Sequence, residues 1–292
     1  MVWDGVLNRW GGVTVASIVT GVIAVAHSRG NASLLVVLVS ALVTGGLYAG
    51  LELTALGNSG LAGVWSQQMT WDVYRDRVWE PHEAELAAEA EQMRRVHARV
   101  THFAATHGMR ITLAVTGVRL GWVGAANSAR TSKTLGHIDL GHFWFFPEGV
   151  ASLPHVLEHE LAHIKRNDSV RHVLWTTVVA AGSVACAGLL PLPHAAIAIA
   201  ALLALGIAVC WWTELACDTI AARQCGRPAA VRTVTHFLDD RRALPARLRH
   251  VSMVVALRTH PPLLLRRWWI RHAPALPATD AAAPAAPWSI GR

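Results

Sequence analysis

Four stretches of this 292-residue chain are almost free of charge: residues 11–27, 32–51, 173–190 and 195–213. Each is close to the ~20 apolar residues that a helix needs to cross the hydrocarbon core of a bilayer. They form two pairs, the first divided by Ser-Arg-Gly-Asn at 28–31 and the second by Pro-Leu-Pro-His at 191–194. The pattern therefore predicts four transmembrane helices in two hairpins. Helices buried in a large water-soluble core are the other reading, but two tight apolar hairpins leave little chain to cover them. A signal peptide at 11–27 is disfavoured, because no convincing small-residue cleavage site follows and a second apolar run begins at once. Composition agrees: 15 % of the residues are charged, against roughly a quarter in a soluble domain.

The basic residues select an orientation. From Arg223 onward there are twelve arginines against three acids, Asp239, Asp240 and Asp280, while the two hairpin turns carry only Arg29. A complete hairpin separates segment 58–170 from the arginine-rich tail, so both lie on one side, and that side should be the cytoplasm. Trp10, Trp65, Trp211, Trp212, Trp268 and Trp269 stand near the expected boundaries, as an interfacial aromatic belt would. The net charge of +7 is not accompanied by an aromatic-interleaved binding motif, so nucleic acid is not an expected partner. The four cysteines, Cys186, Cys210, Cys217 and Cys225, form no C-x-x-C pair and fit reduced thiols in a cytosol-facing protein.

Five segments are expected: a first hairpin over 1–57, a cytoplasmic segment over 58–170, a second hairpin over 171–213, a cytoplasmic completion over 214–272, and an Ala/Pro-rich, disordered tail over 273–292. Within 58–170, residues 71–107 have helical spacing with Gly108 as a stop. Residues 109–117 and 136–146 read as strands, the second alternating through Ile138, Leu140, His142, Trp144 and Phe146. The fold class is thus an integral membrane protein, mainly α, with a small β-sheet in an α+β cytoplasmic part.

Gly149 and Pro154 open a helix that carries Leu-Glu-His-Glu-Leu-Ala-His-Ile-Lys-Arg-Asn-Asp, residues 157–168. Positions four apart share a helix face, so His159 and His163 can present two imidazoles to one tetrahedral metal. Glu160 sits about 100° round the helix, where it can hold a metal-bound water and act as general base. In a chain with 16 histidines, this pattern alone is suggestive only. A working zinc site needs a third protein ligand and an open position. The best candidate is Glu214, in Trp-Trp-Thr-Glu-Leu-Ala-Cys-Asp at 211–218. An acid so near a span is costly without a partner or a function, although Glu214 could also be simply the first polar residue beyond the bilayer. Asp218, one turn on, can accept a hydrogen bond from a ligand imidazole.

Three separated pieces resemble the membrane-embedded zinc proteases that include the HtpX heat-shock protease and the CAAX prenyl proteases. They are His-Glu-Leu-Ala-His with Asp168 five residues beyond His163, Glu-Leu-Ala-Cys-Asp at 214–218, and Thr-His-Pro-Pro with His260 and Arg266 six residues apart. The order of the pieces and the placement of the hairpins are also similar over residues 10–270. The resemblance implies a gluzincin site: His159, His163 and Glu214 on zinc, Glu160 as general base, Asp168 and Asp218 supporting the ligands. It further implies that His260 and Arg266 assist the oxyanion or position substrate. The family's Asn-Ala-Phe-Ala is reduced here to Asn127 without the aromatic, which bears on the substrate-binding strand and not on the metal. Cys217-Asp218 is similar to the β-lactam sensor-transducer proteases.

The expectation is a zinc-dependent metalloendopeptidase, multi-pass in the cell membrane with its active site facing the cytoplasm, acting on a peptide or protein. Alternatives are a sensor-transducer protease of the β-lactam-receptor type, an inactive signalling or scaffold relative, and a four-helix metal transporter. The near absence of polar residues from the spans disfavours the transporter. Substrate and oligomeric state are not legible.

Overall fold

A computed structural model describes residues 2–61, 68–70, 84–116, 126–130, 132–145 and 147–273. The order of elements is α1 (Val2–Ser28), α2 (Leu34–Leu61), β1 (Gln68–Thr70), α3 (Ala84–Thr106), β2 (Arg110–Thr116), β3 (Ala126–Arg130), β4 (Leu135–Gly141), a 3-10 turn (His142–Phe145), α4 (Pro147–Val150), α5 (Leu153–Arg166), α6 (Asp168–Leu189), α7 (Leu192–Cys225), α8 (Arg227–Ala243), α9 (Ala246–Leu257) and α10 (Leu263–His272). The chain is thus mostly helical with a small sheet. It divides into two compact units, one of Met1–Ser59 with Ser169–Cys210 and one of Gly60–Asp168 with Trp211–Arg292.

The first unit is built from the apolar runs. Among the described residues, three helices are long and apolar enough to cross a membrane, α2 through Leu34–Leu51, α6 and α7; within α1 a shorter apolar stretch covers Gly12–Ser28. Side chains such as Leu35, Leu42 and Ile197, each at least 70 % exposed, point outward from these helices. A water-soluble surface rarely carries such a run of large apolar groups. The contacts between helices use small residues instead. A Cβ on Gly188 of α6 would stand 2.5 Å from Val37 Cγ2 of α2, so the bare glycine is what admits α2 at that distance, as in helix pairs packed within lipid. Ile23, Val37, Ala41, Val184 and Ala187 close around it.

The second unit is organised by its sheet, in the order β1-β2-β4-β3. Strands β2 and β4 are parallel, and β1 and β3 run antiparallel on either side. Met93, Val96, Val100 and Phe103 recur at helical spacing along α3 and pack with Leu113, Val115, Ile138 and Leu140 of the sheet and Leu153, Leu157, Leu161 and Ile164 of α5. Arg99 of α3 donates to both carboxylate oxygens of Glu158 on α5, at 2.5 and 2.8 Å, and both side chains are largely buried. That pair fixes the rotation of α5 about its own axis, one residue before His159.

The structure differs from the sequence reading at several places, and it adds two strands that were not expected, β1 and β3. The second strand ends at Gly141 and not at 146, because the chain turns into the 3-10 segment and sends Trp144 and Phe145 into the core. The long helix is described only from Ala84; its expected start at 71–83, like the tail at 274–292, lies outside the described residues. Residues 214–272, left without internal structure by the sequence, continue α7 and add three further helices, α8, α9 and α10. The Gly108 stop is seen at φ +60°, a left-handed conformation that glycine adopts without strain.

Candidate metal centre

Helix α5 is bounded by residues suited to its ends. Pro154 sits in its first turn, where a missing N–H costs nothing. Asn167 ends it in the left-handed conformation at φ 56°, with its N–H on His163 O and Ile164 O. Asparagine tolerates that conformation better than most residues. The helix is buried almost all round, including His155, His159 and Glu160, so its polar groups must find partners inside the protein.

The two imidazoles of the motif converge. His159 Nε2 and His163 Nε2 are 3.1 Å apart. Glu214, from α7, brings Oε2 to 3.4 Å from His159 Nε2 and Oε1 to 3.4 Å from His163 Nε2. These atoms are close enough to share one metal ion, and the three residues form one of three overlapping metal-competent groups among the described residues. The other two are His155–His159–Asp218 and His163–Asp168–Cys217.

The far side of each ring distinguishes them. His159 Nδ1 lies 3.0 Å from Asp218 Oδ1, and His163 Nδ1 lies 3.1 Å from Asp168 Oδ2. Each carboxylate is itself engaged: Arg166 Nε reaches Asp168 Oδ2 at 3.0 Å. Arg266 closes a two-pronged contact on Asp218, with Nε to Oδ2 at 2.7 Å and Nη2 to Oδ1 at 2.6 Å. No guanidinium stands against Glu214 among the described residues, and its buried Oε2 has no hydrogen-bond donor. A buried carboxylate oxygen left without a donor is costly. An ion shared with the two Nε2 atoms would satisfy it, so these residues fit a metal.

Electrostatics point the same way. Burial alone would push both imidazoles down. The nearby carboxylates of Asp218 and Glu214 outweigh it at His159, and Asp168, Cys217 and Glu214 hold His163 well above its ordinary value. The cluster therefore favours positive charge between the two rings. A metal ion can supply that charge in place of protons, which binding displaces.

His260 and Arg266 fall in different surroundings. His260 is 52 % exposed, with Nε2 3.6 Å from Glu214 Oε2, so it stands on the open side of the cluster. Arg266 is buried, and two of its donor nitrogens face Asp218. The oxyanion role expected of Arg266 is not the placement found, because its fork is used to hold the carboxylate behind His159. Burial would lower its pKa, but Asp218 outweighs that and raises it.

Three residues of the centre were missed or left without a role. Ser128 Oγ donates to Glu160 Oε2 at 2.6 Å from strand β3. Its only signal was proximity to Asn127. His155 is 2 % exposed and stands 3.5 Å from Asp218 Oδ1; its four-residue spacing before His159 was a usable signal. Cys217 is buried, with Sγ 3.4 Å from both His163 Nδ1 and Asp168 Oδ2.

No protein-family profile, curated protein or solved structure matches the chain. What the fold and the cluster define is an α-rich chain with membrane-competent helices and a buried His/Glu/Asp/Cys group able to hold a metal ion.

Proposed function

We propose that the protein is a zinc-dependent integral-membrane endopeptidase of the HtpX-like type. The observation that carries this reading is the convergence of His159 Nε2 and His163 Nε2, 3.1 Å apart, on the Glu214 carboxylate, whose Oε2 and Oε1 lie 3.4 Å from the first and the second nitrogen respectively. Ligand atoms on a tetrahedral zinc stand about 3.3 Å apart, given metal–ligand distances near 2.0–2.1 Å. Three protein ligands leave the fourth position open, as catalytic zinc sites do. Bound there, zinc would lower the pKa of a water and polarise the scissile carbonyl.

The chain's own residues supply the rest. Glu160, next to His159, takes the water's proton and passes it to the leaving amine. Ser128 holds Glu160 Oε2 at 2.6 Å, which leaves Oε1 for the proton. Strand β3 is at the sheet edge, where an extended peptide can add as a further strand. His260, on the open side, donates to the oxygen on which negative charge develops. Asp218 and Asp168 keep the ligand rings oriented through their Nδ1 atoms.

The ligand set has its own test. Purified protein should bind about one zinc per chain, and Glu214→Ala should lose it. Unchanged zinc content in Glu214→Ala would remove that residue from the ligand set.

Cys217 favours a second reading. The residue that makes the Cys-Asp pair similar to the sensor-transducer proteases touches His163 and Asp168, so it belongs to the site. That reading expects cleavage to depend on a signal, whereas the first expects the purified protein to cut casein unaided.

We place four spans in the membrane, with segment 58–170 and the arginine-rich tail in the cytoplasm, because the basic residues concentrate there. Single cysteines at the exposed positions Ser28 and Ser132, in a cysteine-free background, report on this in intact cells. An impermeant thiol reagent should label Ser28→Cys and spare Ser132→Cys. The reverse pattern inverts the orientation, and labelling of both contradicts the single span, α2, that separates the turn from the protease segment.

A further inference from the structure

The second unit ends in a surface that the metal centre does not use. Helix α10 buries Leu263, Arg266 and Ile270. Its opposite stripe, Leu264, Arg267, Trp268 and Arg271, recurs at i, i+3, i+4 and i+7 and so forms one face. Leu264 is 56 % and Trp268 54 % exposed. Large apolar and aromatic side chains alternating with arginines on an outward face suit neither water nor a protein core. They suit the boundary of a bilayer, where indole rings and guanidinium groups settle at headgroup level.

Contacts within the unit tie this face to Trp211 and Trp212 of α7. Trp212 follows that apolar stretch directly and is 61 % exposed. Its ring meets Trp269 of α10 edge-on at 5.9 Å, and Trp269 Nε1 donates to Thr219 Oγ1 at 2.8 Å. Trp211 Nε1 donates to Leu257 O at 2.8 Å, tying the end of α9 to the same turn of α7. Seven residues of helix separate Trp212 from Thr219, a rise of about 10 Å. The charge is one-sided: residues 246–273 include six arginines and no acid.

We propose that the outward face of α10, with Trp212, is a docking surface for anionic phospholipid headgroups of the bilayer that holds the apolar helices. Arg267 and Arg271 pair with the phosphates while Leu264 and Trp268 enter the acyl boundary. Charge complementarity and the continuity of this face with the end of α7 select lipid over a protein partner. The assignment does not depend on proteolysis.

Photo-crosslinking tests it on the full chain. Benzoylphenylalanine is placed at Trp268, or at the exposed Leu135 of the sheet as a control. The protein is reconstituted in vesicles of phosphatidylcholine with about one third phosphatidylglycerol, a stand-in for an anionic leaflet. Adducts are read by intact mass. The expected result is a lipid adduct at position 268, enriched in phosphatidylglycerol over its share of the bilayer, and none at 135. Combining Arg267→Gln with Arg271→Gln should bring the adducts back toward the one-third share of the bilayer, a fall in enrichment of at most about threefold. These substitutions are on the surface, so folding is retained. Absence of a lipid adduct at 268, an adduct without phosphatidylglycerol enrichment, or a crosslink to a second copy of the chain would each overturn the proposal.

Discussion

Glu160→Gln should keep its zinc and lose peptide hydrolysis by at least about a hundredfold, the scale of general-base catalysis. The amide has nearly the same size and can still accept the Ser128 hydroxyl, now found at 2.6 Å from Oε2, so the local packing need not change. What it cannot do is take a proton from water. The variant therefore separates the base from the ligands, which sit on the neighbouring His159 and on His163 and Glu214. Metal analysis and turnover on the same preparation check it. Near-normal turnover by metal-replete Glu160→Gln would overturn the assigned chemistry.

The second large effect is expected at Arg266. Its bonds of 2.6 and 2.7 Å neutralise Asp218, which is fully buried and carries His159 on its other side. Arg266→Leu leaves that carboxylate without its counter-charge, a change that costs about 3–5 kcal/mol in buried pairs. Loss of a group that orients a ligand imidazole should also weaken zinc binding, by about 10–100-fold. Unfolding in detergent and competition with a zinc chelator measure the two effects. A pure oxyanion donor would behave differently: turnover would fall while stability and zinc affinity stayed as in the parent protein. Arg266→Lys discriminates further, since it keeps the charge but cannot offer the fork.

Much of this centre was legible because short-range spacing encodes it. The four-residue interval between His159 and His163 is a property of the helix itself, and α5 forms where the sequence places it. Glu214 and Asp218 were found by asking which acids lie beside an apolar run without an obvious partner, and both lie against the ring of His159. Arg266 was legible as a residue and not as a role. Only the fold reveals that its guanidinium points at Asp218 across 48 positions of sequence. Ser128 was invisible for the same reason: a serine on a short edge strand has no local mark, and its meaning arises when β3 lies beside α5. The false extension of the last strand has a different cause. Alternation continues through Trp144, but in the 3-10 turn the same residues reach the core by a change of backbone direction. The apolar runs were the most readable of all, because length and lack of charge need no tertiary context.

The central claim, a catalytic zinc held by His159, His163 and Glu214, is tested most directly by activity and metal content measured together. Detergent-purified protein is assayed on casein as isolated, after stripping with a chelator, and after return of one equivalent of zinc, with His159→Ala in parallel. The account predicts about one zinc per chain and hydrolysis that is lost on stripping and restored by zinc, with neither metal nor activity in His159→Ala. Casein cleavage that survives complete removal of the metal, or that persists in His159→Ala, would contradict it.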